Sequence, residues 1–327
     1  MLLQLHPDYK SVFAADIVNL IETKQSLGFK YHREQLMLKR IDTFLIDHHL
    51  TERTLTKTLV EEWCKKRSYE TIANQNNRIT VMRVFARHLT NCGVHAYVPP
   101  LYMTRHGPKY EAHIYTRDEL HRFFAVVDKS QSAPSAPYRN LIMPVFFRIL
   151  YTSGMRVSEL RLARICDVHI EDAYITVHGS KNHKDRNVPI RRDLAECCRV
   201  IKERIHNDSP DDEFFFMQYP GRAHTLQNLY HNFRRYLEKA NIPHTGKGPR
   251  IHDFRHTFCV NLLKKWIDEG KELLSYVEYM RTMLGHETFN ETAYYLKLTM
   301  ELYPAIRDKM KASFPNMIAE VNLDDIE

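Results

Sequence analysis

Apolar residues recur at helical spacing through roughly the first hundred positions, and the polar residues between them define amphipathic helices. Val12, Phe13, Ile17, Leu20 and Ile21 mark a first helix that Gly28 can end. Leu36, Ile41, Phe44 and Leu45 mark a second, and Thr51 followed by Leu55, Leu59 and Trp63 marks a third. Ile72, Ile79, Met82, Phe85 and Leu89 mark a fourth, which Gly93 can terminate. Together they predict a small helical bundle over residues 1–97. The pattern then breaks, because residues 98–109 hold three prolines and a glycine that resist both helix and strand. A linker over 98–115 follows from that break.

A second periodic region opens at Thr116, an N-cap for a helix over residues 117–127. An apolar helix over 141–151 ends at Gly154. Residues 173–178 and 186–190 read as two short strands around the polar turn 179–185, a hairpin. Everything after about Asp193 reads mainly helical. The expected fold is therefore mainly α with a small antiparallel β-hairpin or sheet. It has a helical first domain, a second domain over 116–301, and a tail over 302–327.

Length supports that division, since 327 residues exceed an ordinary single domain. Lys and Arg outnumber Asp and Glu by 47 to 40, a net charge of +7 that favours a polyanionic partner. The six cysteines include no C-x-x-C pair, as expected in a reducing compartment. No stretch approaches the roughly 18 apolar residues of a membrane span. A cytoplasmic protein with no membrane partner is expected.

The strings that carry chemistry lie in the second region. Gly154-Met155-Arg156 sets an arginine just after a glycine, with Glu159 three residues on. The hairpin turn offers Lys181, Lys184 and Arg186, and a lysine at such a tip can donate a proton to a leaving oxygen. In His252-Asp253-Phe254-Arg255-His256, neutral histidine can accept a proton and arginine can hold a phosphoryl oxygen bidentately. Leu284-Gly285-His286 is followed nine residues later by Tyr295, second of the doublet Tyr294-Tyr295. His252 and His256 at i, i+4, with His286, also have metal-ligand character, but the glutamate of H-E-x-x-H is missing. The set therefore points to phosphodiester chemistry, with no metal expected.

Other segments suit a surface lying along DNA, although each also reads plainly as a solvated face. They are Lys65, Lys66, Arg78 and Arg83 in the bundle, Arg105 and Lys109 in the linker, and Gln227, Asn228, His231, Arg234 and Arg235 on a helix over 225–240.

In order and spacing, Arg156, Lys181, His252, Arg255, His286 and Tyr295 resemble the catalytic set of the tyrosine recombinases, the phage integrase family. The strings around Arg156, around His252 and Arg255, and around His286 and Tyr295 look like the family's three signature boxes. The likeness is detailed from about Thr116 onward, whereas the first domain is similar only in being a short helical bundle ahead of a linker.

The resemblance implies that Tyr295 attacks a DNA phosphodiester to leave a 3′-phosphotyrosine and a free 5′-hydroxyl. In this picture Arg156, Arg255 and His286 stabilise the phosphoryl charge, and His252 accepts the tyrosine proton. Lys181, preferred to Lys184 by its distance from Arg186, protonates the leaving oxygen, and Glu159 supports the site. Tyr295 is selected over Tyr294 by its nine-residue distance from His286.

It further implies no cofactor, neither metal nor ATP, and double-stranded DNA as partner. Assembly is expected as a homo-oligomer, a tetramer on two sites, with the tail packing on a neighbouring protomer. Integration or excision of a mobile element and resolution of chromosome dimers both fit, in a nucleoid-associated protein. The absence of an evident additional arm-binding domain favours a two-domain enzyme. A DNA-binding protein that keeps the fold without activity, and a type IB topoisomerase-like enzyme, are the competing readings.

Overall fold

The computed structural model describes residues 8–100, 110–179, 185–245 and 248–303, and they fall into two compact units, Met1–Tyr110 and Glu111–Glu327. In the first unit, helices α1 (Ala14–Ser26), α2 (His32–Asp47), α3 (Lys57–Cys64) and α4 (Ile72–Asn91) enclose a core built from Phe13, Ile17, Leu38, Val60, Met82 and Phe85. The buried carboxylate of Asp42 on α2 accepts from the Lys10 and Ser11 amides at 3.1 and 2.9 Å, which ties the chain entering α1 to its neighbour. The third helix starts later than Thr51. Thr56 is its N-cap, accepting from the Leu59 amide, and the Leu55 backbone pairs instead with His95 and Tyr97.

The second unit opens with α5 (Arg117–Val127), whose Thr116 and Glu119 form the reciprocal capping box of an N-terminus. Then come α6 (Arg139–Ser153), the single turn α7 (Val157–Leu160) and a 3₁₀ turn (Ile165–Asp167). A three-stranded antiparallel sheet follows in the order β1 (Val168–His169), β2 (Tyr174–Val177), β3 (Arg186–Pro189). Its β2–β3 hairpin is the one expected from alternation, with Ile175 opposite Val188, whereas β1 is too short to show a period. After α8 (Arg192–Ile205) a second hairpin, β4 (Met217–Tyr219) and β5 (Arg222–Ala223), interrupts the stretch read as helical. The chain then runs through α9 (Leu226–Lys239), α10 (Asp253–Asp268), α11 (Leu273–Leu284) and α12 (Phe289–Leu302).

Two apolar clusters meet along α10. Phe254 belongs to the larger one, ringed by Phe123, Phe147 and Phe233 with centroids 5.3 to 6.2 Å away. Tyr115, placed in the linker by sequence, is buried and stacks on Phe254 at 4.9 Å. Cys259, Leu263, Val277, Leu284, Tyr295 and Leu296 form the other cluster between α10, α11 and α12. Arg255 lies between the two, so its guanidinium is surrounded by protein. Among the described residues no helix is long and apolar enough to cross a membrane.

Candidate active site

Two helices end in glycines with left-handed backbone, and their carbonyls frame the site. Gly154 closes α6 at φ +67, and Gly285 closes α11 at φ +65, conformations that side chains rarely adopt. A Cβ on Gly154 would stand 2.6 Å from Phe258, and one on Gly285 would stand 2.9 Å from the Arg186 guanidinium. Both positions therefore need glycine for space as well as for conformation.

The arginines bind those helix ends, where the dipole favours a cation. Arg255 donates to the Gly154 carbonyl at 2.7 Å, to the Leu284 carbonyl at 2.9 Å and to His286 Nε2 at 2.7 Å. It is 2% exposed. Arg156 precedes α7 with extended backbone rather than sitting in its first turn; it reaches the Gly285 carbonyl at 3.4 Å and Glu159 at 3.0 Å.

Glu159 also pairs at 2.8 Å with Arg186, the first residue of β3, whose Nε donates to the Met283 carbonyl at 2.9 Å. Burial opposes charge on Glu159, but the bonds and charges of Arg186 and Arg156 overcome it and hold the carboxyl below its usual range. Arg186 was read from sequence only as a basic group of the hairpin turn and the start of its second strand. Its role in tying the hairpin to this site depends on a partner 27 positions away, which no local pattern reveals.

The protonation of His286 follows from its contacts. Arginine only donates, so Nε2 must accept, and the proton resides on Nδ1, which donates to Thr292 Oγ1 at 2.8 Å. Burial, then Arg255 and Arg156, push His286 down to about 3. Burial, then His256 and Arg255, push His252 to about 3, and burial with Arg255 pushes His256 to about 4. His252 keeps an exposed face, so water softens the effect there more than at His286.

These histidines are neutral when folded and ionise near 6.5 when unfolded, so the unfolded chain binds more protons below that pH. Their contribution to stability is present above pH 6.5 and is lost as the pH falls through the window toward 4 and 3. Melting temperature is accordingly expected to drop between pH 7 and 5, and to drop less steeply in His286→Asn. Equal slopes for the two proteins would exclude His286 as a source.

The two tyrosines of the doublet have different surroundings. Tyr295 is 3% exposed, its ring stacked on His286 at 5.9 Å with 8° between planes, and its hydroxyl bonds with Arg255 and Cys259. Burial raises its pKa above the ordinary value, so the phenol is protonated at neutral pH. Tyr294 is directed elsewhere, its hydroxyl engaged by the Ala112 backbone. His256, weighed from sequence only as a metal ligand, packs against Tyr294 and Tyr295 at 5.7 and 5.5 Å and against His252 at 4.9 Å. Among the described residues no group of three His, Cys, Asp or Glu side chains is arranged to hold a metal ion.

Thus the structure brings Arg156, Glu159, Arg255, His286 and Tyr295 together, with His252 at the start of α10 beside them. Lys181 lies outside the described residues, as do Arg105, Lys109 and the tail from 304 onward. On α9, Gln227, His231 and Arg234 are exposed and, with Thr225, Asn228 and Tyr230, line an open depression of about 740 Å³. Arg235 is also exposed, about 100° around the helix from Arg234. Asn228 turns its amide oxygen inward to His224 and Asn232.

Two basic residues of the first unit need correction as outward-facing contacts. Arg78 is 2% exposed, paired with Glu70 at 2.6 Å, bonded to the Lys65 carbonyl and packed on Trp63. Arg83 is half-buried and donates to the Pro99 carbonyl. The Arg78 guanidinium, so enclosed, is not available to a phosphate, and that of Arg83 is engaged in part. Lys65 and Lys66 remain exposed. The concave surface of this unit is an open groove of about 1090 Å³, lined in part by Arg33, Arg40, Arg67, Asn74 and Asn77. Arg33 and Arg40 stand seven apart on one face of α2, a basic stripe the sequence reading passed over.

The model of the phage integrase family matches residues 114–301, more than half of the chain. The chain belongs to that family, the tyrosine recombinases. It is 24% identical over 302 residues to the putative integrase/recombinase y4rB of Sinorhizobium fredii, covering 89% of this chain and 95% of that one. It is 28% identical over 199 residues to the tyrosine recombinase XerA of Thermococcus kodakarensis, covering 60% and 62%.

Among solved structures, the Tn1549 transposon integrase in complex with a circular intermediate DNA shares the fold at a TM-score of 0.59 and 16% identity, covering 86% and 94%. The XerH site-specific recombinase bound to its difH substrate does so at 0.57 and 20%, covering 81% and 74%.

Proposed function

We propose that this chain is a site-specific DNA recombinase that cuts and rejoins double-stranded DNA through Tyr295. The observation that supports the reading is that Arg156 and Arg255 meet at the carbonyls of two glycine-ended helices, with His286 bonded to Arg255 and Tyr295 stacked on His286. That arrangement suits a phosphoryl group. An incoming phosphate oxygen competes with His286 Nε2 and the Tyr295 hydroxyl for the Arg255 guanidinium, and Arg156 is placed to hold a second oxygen.

In the proposed step the Tyr295 oxygen bonds to phosphorus as the bond from phosphorus to the 5′-oxygen breaks. The phenol proton passes to His252, which is neutral and able to accept it. Lys181 gives a proton to the leaving 5′-oxygen. Arg156, Arg255 and His286 stabilise the charge of the pentacoordinate state. The product is a 3′-phosphotyrosine that keeps the bond energy, so rejoining needs neither ATP nor metal.

Exposed Gln227, His231 and Arg234 on α9, and the groove of the first unit, are the proposed contacts to bases and backbone. A tetramer on two sites, in the cytoplasm on chromosomal or mobile-element DNA, completes the reading.

The test is a trapping reaction with a nicked duplex that loses a short fragment on cleavage, run in excess chelator. A covalent adduct with a free 5′-hydroxyl is expected, its amount unchanged by the chelator. An adduct attached through the 5′ end, or one that appears only when metal is restored, would refute the proposed chemistry.

A further inference from the structure

Arg186 carries no step of the chemistry proposed above, yet its guanidinium is enclosed beside residues that do. Its side chain is 9% exposed, and that of its partner Glu159 is 11% exposed. Nη2 donates to Glu159 Oε2 at 2.8 Å, and Nε donates to the Met283 carbonyl at 2.9 Å. Nη1 is buried and finds no hydrogen-bond partner among the described residues. It lies against Gly285, where an added Cβ would stand 2.9 Å from it.

Glu159 is fully engaged by the two arginines. Its Oε1 accepts from the Arg156 guanidinium at 3.0 Å, and its Oε2 accepts from the Arg156 amide at 2.9 Å as well as from Arg186. Burial favours the neutral acid, and Arg186 opposes it more strongly than Arg156 does. The carboxylate is thus kept charged, and held in one orientation, mainly from the Arg186 side. The other arm of the Arg156 fork, Nη2, reaches the Gly285 carbonyl at 3.4 Å. That is the glycine against which Arg186 lies.

One guanidinium therefore backs both supports of Arg156: the carboxylate that takes Nη1 and the glycine turn that takes Nη2. A buried pair of this kind is weak evidence for stability, because desolvation offsets the attraction. Its effect is on direction.

We infer that Arg186 is a positioning residue for strand cleavage, holding Glu159 and the Gly285 turn so that the Arg156 fork is directed at a non-bridging oxygen of the scissile phosphate. This rests on the proposed role of Arg156 in holding that oxygen. The two ideas separate experimentally, because a linkage that lacks the charge needs neither the fork nor its aim.

Arg186→Gln, Arg186→Lys and Arg156→Ala are compared with wild type in single-turnover cleavage of two nicked duplexes. One is ordinary, and the other carries a methyl group in place of one non-bridging oxygen at the scissile linkage, which leaves that linkage neutral. Arg186→Lys keeps a charge opposite Glu159, and serves should Arg186→Gln fold poorly. Arg186→Gln is expected to slow the ordinary duplex by on the order of 10²-fold, the scale on which a misplacement of about 1 Å acts. Arg186→Lys should slow it less, in the same sense. All three variants should cleave the neutral duplex near the wild-type rate.

A merely structural contribution would slow both duplexes alike. That result for Arg186→Gln and Arg186→Lys, with Arg156→Ala rescued on the neutral duplex, would overturn the positioning role alone. So would a wild-type rate of Arg186→Gln on the ordinary duplex. No rescue of Arg156→Ala would overturn the assignment of Arg156 to the phosphate, and the inference with it.

Discussion

Tyr295→Phe is expected to abolish the covalent DNA adduct and to lower strand cleavage by on the order of 10⁴-fold or more, the scale on which loss of a covalent nucleophile acts. The phenyl ring retains its stacking on His286 and its place among Cys259, Leu263 and Leu296, so the fold should survive with a loss of about 1 kcal/mol for the missing hydroxyl bond. Tyr294→Phe is the control. Its hydroxyl faces the Ala112 backbone rather than the arginines, and the variant is expected to keep forming the adduct. Denaturing gels of the trapped product separate the two directly.

The second large effect is expected at Arg255. Arg255→Lys keeps the charge but not the fork, and one ammonium cannot serve the Gly154 carbonyl, the Leu284 carbonyl and His286 together. Buried acceptors left without donors cost about 1 to 3 kcal/mol each, so the second unit should lose roughly 3 kcal/mol of stability. Cleavage should fall by on the order of 10² to 10³-fold, as when a preorganised donor to a phosphoryl-like charge is removed. Affinity for duplex should change far less, because Arg255 is buried while the exposed basic residues of α9 and the first unit proposed to contact DNA are untouched. Thermal unfolding, duplex binding and single-turnover cleavage measured on one preparation would distinguish these effects. A proportional loss of binding and cleavage would contradict the assignment of Arg255 to the phosphoryl pocket.

Much of this was legible where the information is local. Thr116 with Glu119 three residues later announces a helix start, and Gly154 announces an end. The alternation Tyr174-Ile175-Thr176-Val177 announces a strand. The nine-residue distance from His286 to Tyr295 is local as well, and in the structure the two rings stack.

What was not legible is long-range. Arg78 looks like any surface arginine until Glu70 and Trp63 are seen to enclose it. Arg186 and Glu159, 27 residues apart, gain meaning only as a pair. Strands β1, β4 and β5, two or three residues long, are too short for a period-two pattern to emerge. Leu55 fits a helical spacing yet pairs with the chain near Ala96, because a backbone bridge there outweighs the propensity of one leucine.

The central claim is that Tyr295 is the atom-level link between this protein and DNA. It is tested most directly by digesting the trapped adduct with protease and nuclease and sequencing the nucleotide-bearing peptide by mass spectrometry. The account predicts a single phosphonucleotide mass on Tyr295, attached through the 3′ end of the broken strand. The same mass on Tyr294, or on any residue outside α12, would contradict it.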